Sequence, residues 1–433
     1  MERSYRHQDF QRPTAVCDVI MQGGITSGVV YPLTLLELAK RYRFSNVGGT
    51  SAGAIAAAVA AAAEHGRSVA EGPGGKAAGF TRLADVPNEL GRDLFGLFQP
   101  SPAMTALFGV FVAMIGGSGK AAGGGSFSIA RALVRGYALP ALIGAVPGLV
   151  GLLVALFAAN GAGIALALLV LLLGVVAGVG YGIFQDATRR LPAHDFGLCS
   201  GIAQAGSSKP GFTDWLADLI DEAAGRDPKG PPLTFGEIAG EGRSYIDGNG
   251  DRPLVNLRMM TTNLAQRRPY SLPFEMNLFA FRKSEWEQLF PKRVVDYLTG
   301  TQNRIEEGAY ERLDGKKEPA GEGDLYWLPR PDELPLVVAA RLSLSFPGLI
   351  RAVPLYMRDY TLRDPAEKEI WRRCLFSDGG LSSNFPLHFF DALLPSAPTF
   401  GVSLEAFDGG RHDETARAYL ADPADANAGG GLP

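Results

Sequence analysis

The pattern of apolar and polar positions divides the chain sharply. From Tyr137 to Phe184 there is no charged residue, and Asn160 with its flanking glycines splits this run into Tyr137–Ala158 and Gly163–Phe184. Each piece matches the ~20 residues that cross a ~30 Å hydrocarbon core. The short uncharged break predicts a tight hairpin with both ends on one side. Arg131 and Arg135 before it, and Arg189 and Arg190 after it, place those ends on the cytoplasmic face. Buried helices of a soluble core are the other reading. Glycines and Pro147 in the first run are costly in a soluble helix and tolerated in a membrane one, which favours the hairpin. Pro102–Ile115 is apolar but too short to span, and suits an interfacial segment or one packed beneath the hairpin.

Outside the insertion the periodicities alternate between strand and helix. Ala15–Met21 is an apolar, β-branched run ending at glycines, a buried strand. Val29–Arg41 has helical spacing, Phe44–Val47 is a second strand, and Ala52–Glu64 is an alanine-rich helix. Later, Thr213–Ala224 predicts an amphipathic helix capped by Thr213 or Asp214. Leu254–Thr261, Phe274–Phe281, Arg373–Phe376 and Thr399–Leu404 predict strands, and Leu334–Leu344 a helix. The class is α/β. Glycine-rich stretches at Glu71–Gly79 and Gly116–Gly125 read as connections around the insertion.

Composition removes several functions. In 433 residues the net charge is −4, with no polybasic run, so nucleic acid is not expected as a partner. Cys17, Cys199 and Cys374 are widely spaced and odd in number, which indicates reduced, mostly buried thiols. The five histidines show no ligand spacing, so no metal or cofactor is expected. The polar start, Met1–Phe10, has no apolar core of a secretory leader. With 55 glycines, any single glycine motif has a high chance rate.

Three motifs nevertheless fall in order. Gly23-Gly24-Ile25-Thr26-Ser27-Gly28 joins a predicted strand to a predicted helix, where outward N–H groups can hold an oxyanion or a phosphate. Ile25 occupies the place of the second glycine of a dinucleotide fingerprint, so that reading is weak. Gly49-Thr50-Ser51-Ala52-Gly53 again joins strand to helix, the context of a nucleophile elbow. On its own it reads equally well as a close-packing glycine turn. Asp378-Gly379-Gly380 follows a strand; alone it is an ordinary Asp-Gly turn, but its carboxylate could serve a serine as base.

Together these motifs resemble the patatin-like phospholipases, bacterial type. The further stretches Pro232–Phe235, Thr261–Leu264, Ala340–Pro347 and Asp378–Pro386 resemble the same family, over roughly residues 15–65 and 210–405. The resemblance implies a three-layer α/β/α domain with a mainly parallel central sheet. It implies a Ser51–Asp378 dyad, with an oxyanion hole from the N–H groups of Gly23, Gly24, Ile25 and Ala52. Gly28, Gly49, Gly53, Gly379 and Gly380 are the motif glycines. In the family a cation commonly precedes the last glycine of the oxyanion loop; here Ser27 stands there.

The implied function is a membrane-anchored lipid acyl-hydrolase, of phospholipase A or lysophospholipase type, working through an acyl-serine. Its substrate would be a membrane glycerophospholipid or lysophospholipid. Its expected place is a bacterial inner membrane, with the catalytic domain facing the cytoplasm. The expected organisation is a polar arm (1–14), a first catalytic part (15–100), a connection (101–136), the hairpin (137–184), a second catalytic part (185–405) and a disordered tail (406–433). The hairpin could also drive homo-oligomer formation.

Rival readings stay open. A Ser-His-Asp α/β-hydrolase needs a histidine after the acid, and His388, within a predicted helix after Pro386, and His412 qualify by order alone. A pore-forming or interaction protein with a degenerate patatin-like domain is a further alternative. A P-loop is excluded, because neither Gly72–Lys76 nor Gly116–Lys120 has the spacing and alanine follows each lysine. Asp247–Asp251 hints at a calcium loop, but Arg252 and Arg258 occupy required Gly and Glu places, so it reads as a turn.

Overall fold

A computed structural model describes residues 5–24, 27–116, 125–158, 161–240, 254–276, 278–300, 310–312, 324–359 and 369–404. The Asp247–Asp251 turn, Asn160, most of the Gly116–Gly125 connection, His412 and the 406–433 tail lie outside them.

The first βαβα run forms as its periodicity predicts: β1 (Ala15–Met21), α1 (Ser27–Ala39), β2 (Tyr42–Gly49) and α2 (Ala52–His65). Almost all of α2 is buried, which its alanines permit because small side chains let neighbouring elements approach on every face. Next come α3 (Gly79–Leu97), α4 (Thr105–Gly116) and α5 (Gly125–Gly136). The 102–115 segment that is too short to span is thus a 3-10 turn leading into α4, which is largely half-buried.

The uncharged insertion is a pair of long helices, α6 (Ala138–Phe157) and α7 (Gly161–Gln185), within a residue or two of the expected halves. Both are long and apolar enough to cross a membrane. Leu142, Ile143, Leu153, Leu172, Leu173 and Phe184 are all exposed on them. Glycines set the contact between the two helices. A Cβ on Gly144 would meet the Gly174 carbonyl, one on Gly178 the Pro140 carbonyl, and one on Gly148 the Leu171 backbone. At the base Tyr137 donates to Asp186 Oδ2 at 2.9 Å, and Arg190 pairs with Asp186 Oδ1 at 2.8 Å. Polar groups thus close the hairpin where the apolar run ends.

Downstream strands are β3 (Asn256–Asn263), β4 (Arg268–Leu272), β5 (Phe279–Arg282), β6 (Tyr310–Arg312), β7 (Leu325–Trp327), β8 (Val353–Arg358), β9 (Glu369–Asp378) and β10 (Thr399–Val402). The sheet runs β10-β1-β2-β3-β9-β8-β5-β7, with β4 on β3 and β6 on β9. Its β10-β1-β2-β3 part is parallel, as expected of βα units. From β3 through β9, β8, β5 and β7 every pairing is antiparallel, so the sheet is mixed.

Three local expectations are corrected. Of the Phe274–Phe281 run only Phe279–Phe281 is strand, continuing to Arg282, while Phe274 packs edge-on against Phe376. Helix Phe212–Ala223 starts at Gly211 rather than Thr213 or Asp214. Asp214 instead accepts the N–H groups of Gly211 and Ala203. Beyond Pro386 there is a short 3-10 turn, Leu387–Phe390, rather than a longer helix. These elements belong to one compact unit, Met1–Val402.

Candidate active site

Sheet register explains why residues 51 and 378 meet. Gly49 at the end of β2 lies beside Met259 of β3, and Thr261, two residues on, lies beside Asp378 of β9. Two residues beyond Gly49, Ser51 therefore stands level with Asp378. Its Oγ donates to Asp378 Oδ2 at 2.6 Å. The serine is 8% exposed and the aspartate 3%.

The turn around Ser51 has an elbow's geometry. Its φ is 56° and ψ −127°, left-handed territory that costs a non-glycine residue about 1–3 kcal/mol. The flanking glycines are required by contact: a Cβ on Gly49 would strike the Gly53 carbonyl, and one on Gly53 the Met21 carbonyl. The helix that follows, α2, leaves its first N–H groups without intrahelical partners.

Among those, Ala52 N–H has no acceptor among the described residues, and the same holds for Gly24 N–H. Gly23 is a correction: its N–H donates to the Asn384 carbonyl at 2.8 Å and is not free. A Cβ there would run into the Asn384 side chain and crowd Ser51 Cβ. Ile25 lies outside the described residues, and Gly28 falls in the first turn of α1.

Asp378 is held from several directions. Its Oδ1 accepts Gly380 N–H at 2.7 Å, its N–H donates to the Ser345 carbonyl at 3.1 Å, and its carbonyl accepts from Thr262 Oγ1 at 2.9 Å. A Cβ on Gly379 would strike the Met260 carbonyl, which explains the first glycine after the acid. Burial pushes the carboxyl up to about 6, against the opposing hydrogen bonds from Ser51 and Gly380.

Sequence reasoning gave no role to the end of the helix Leu336–Ser343, which overlaps the Ala340–Pro347 stretch. Ser343 Oγ accepts Ser51 N–H at 3.2 Å, and the Ser345 carbonyl accepts both Asp378 N–H and Ser377 Oγ, the latter at 2.8 Å. One short segment therefore holds both members of the pair. Behind it, fully buried Arg341 donates to Ser345 Oγ at 2.6 Å and to the carbonyls of Arg351 and Ser200. Asn384, also unassigned from sequence, accepts from Thr50 Oγ1 at 2.9 Å and ties the Asp378 segment to the elbow. These roles rest on contacts distant in sequence, most of them to backbone atoms.

A cavity of about 110 Å³ opens beside Ser51. Its lining is almost wholly apolar, with Ile55, Val59, Leu83, Leu90, Phe212 and Phe346 among the walls. His388 is exposed and lies edge-on to Phe389, with ring centroids 5.1 Å apart. Among the described residues no histidine bonds to Ser51 or Asp378. A triad through His388 is not formed. Among the same residues no group of three or more His, Cys, Asp or Glu is arranged to hold a metal ion. All three cysteines are buried and free, and burial lifts the Cys17 and Cys199 thiols to about 12.

No protein-family model matches the sequence. A protein of Rhizobium meliloti (strain 1021) named RpoH suppressor is 36% identical over 438 aligned residues, spanning 90% of this chain and 66% of that protein. The chain thus spans just under two thirds of that relative's length. Among solved structures, the crystal structure of VipD from Legionella pneumophila is similar over 89% of this chain and 49% of that chain. The sequence identity is 11% and the TM-score 0.28.

Proposed function

We propose that this chain is a serine acyl-hydrolase of membrane lipid esters, a patatin-like phospholipase anchored by the α6–α7 hairpin. The observation that carries the reading is the 2.6 Å hydrogen bond from Ser51 Oγ to a buried carboxylate, formed on a strained turn beside an apolar cavity. Ser51 Oγ attacks the ester carbonyl while its proton passes to Asp378 Oδ2. The tetrahedral oxyanion takes hydrogen bonds from Ala52 N–H and Gly24 N–H, each such donor being worth about 2.7–4 kcal/mol in a typical hydrolase. Asp378 returns the proton to the leaving alcohol, the acyl-serine remains, and water activated by the same carboxylate releases the fatty acid.

The exposed apolar faces of α6 and α7 support membrane insertion, with the α/β unit on the cytoplasmic side of a bacterial inner membrane. An anchored enzyme meets its ester at high local concentration, because substrate and anchor share the bilayer. The test is release of fatty acid from fluorogenic phospholipid vesicles by the purified chain and by Ser51→Ala. Loss in the variant supports the proposal. Equal signals sink it and favour a membrane pore or interaction protein.

A further inference from the structure

The apolar cavity beside Ser51 is not sealed by the protein core on every side. Ser51, Ile55 and Val59 all line it, so it follows α2 for two turns, about 12 Å. Three of its residues, Leu90, Trp215 and Leu219, also line a second space of about 580 Å³. That second cleft has charged residues in its lining, Asp85, Asp93, Asp218 and Lys209 among them. The three shared side chains form a layer of lining common to both.

Trp215 is the largest member of that layer, and it is fixed at both ends. Its indole N–H donates to Glu89 Oε2 at 3.1 Å, and Glu89 pairs with Arg82 at 2.8 Å. Arg82 in turn pairs with Glu222, which Lys76 also meets. On the cavity side the ring packs on Phe212 at 5.9 Å, and Phe212 stacks on Phe98 at 5.3 Å. One edge of the indole thus belongs to a charged network and its face to an aromatic row.

We infer that Trp215, pinned by Glu89, is the partition that sets the length of acyl chain the Ser51 site takes. The inference rests on the acyl-hydrolase reading above. A chain confined to the apolar side stays clear of the charged cleft, whereas a longer one has to displace the indole and enter a space lined by carboxylates and ammonium groups. Removing the indole joins the two spaces and gives the chain end room beside Leu90 and Leu219.

The test uses the full chain in phospholipid nanodiscs and alkyl fluorophosphonates bearing octyl, dodecyl and hexadecyl groups, read as the rate of covalent labelling at serine. Wild type should label in a Ser51-dependent manner and discriminate against hexadecyl. Trp215→Ala should raise the hexadecyl-to-octyl ratio about tenfold, the equivalent of burying roughly two further methylenes. Glu89→Ala, which removes the pin and leaves the ring, should move the ratio the same way by less. It decides the matter if Trp215→Ala does not fold. Ser51-dependent labelling with an unchanged ratio in the folded variants overturns the partition and leaves the hydrolase reading standing. Labelling that is absent, or equal in Ser51→Ala, removes the dyad and the partition with it.

Discussion

Replacing Asp378 with asparagine should make the protein more stable and nearly inactive. Burial raises this carboxyl from 3.8 to about 6. At 1.36 kcal/mol per unit, the ionised form is disfavoured in the folded state by about 3 kcal/mol. The sign follows from proton linkage: the folded protein holds this proton more tightly than the unfolded chain. The stabilisation is complete below pH 3.8 and is lost as pH rises through about 6. Above that, the native state bears the cost of a buried charge.

An amide escapes this cost. It keeps an acceptor for Gly380 N–H and presents an N–H to Ser51 Oγ, so both hydrogen bonds survive in altered form. Denaturant unfolding of wild type and Asp378→Asn, in one detergent, should show a gain of up to about 3 kcal/mol at pH 8 that fades near pH 4. Lipid hydrolysis by the variant should fall about 10²–10⁴-fold, the usual worth of a positioned base. In wild type, kcat/KM should rise with slope one to a plateau above about pH 6. A stability difference of the same size at both pH values would refute the reasoning. So would a rate profile already flat at pH 5.

Other perturbations probe the supports of the site. Gly53→Ala drives a methyl into the Met21 carbonyl at the strand end and should cost more than about 3 kcal/mol, visible as loss of folded protein on expression. Ser343→Ala removes the acceptor of Ser51 N–H; a deficit of about 1–1.5 kcal/mol predicts a roughly tenfold lower kcat at nearly constant KM in steady-state assays. Gly148→Leu forces α6 away from the Leu171 backbone, so cysteine pairs engineered across α6 and α7 should crosslink poorly while the α/β unit keeps its protease resistance. Deleting Tyr137–Phe184 should move the protein from the membrane pellet to the supernatant.

The parts of the fold legible in the sequence were those in which one residue type settles one question. The charge-free run gave α6 and α7 to within a residue or two, and the alanine run gave α2. Gly-x-Ser-x-Gly was legible because close backbone approach excludes side chains at both glycines. The antiparallel half of the sheet was not, since β8 (VPLYMR) and β5 (FAFR) are short and the partners of β5 are far away in sequence. Gly23 was misread as a free donor because glycine serves equally where a ligand approaches and where Asn384 does. Ser343 and Arg341 hold backbone groups that lie far away in sequence, and Ser345 acts through its own carbonyl, so no local pattern advertises them.

Ser51 and Asp378 are separated by 327 residues of chain, and that distance has a meaning in time. At ~5–20 residues per second of synthesis, the serine leaves the ribosome roughly 15–65 seconds before its partner carboxylate exists. Both halves of the apolar hairpin emerge in that interval, as does Ser343, which accepts the serine's N–H. A nascent chain therefore carries the Ser51 hydroxyl on an unfinished sheet, and both apolar helices are made before the carboxylate that will hold it.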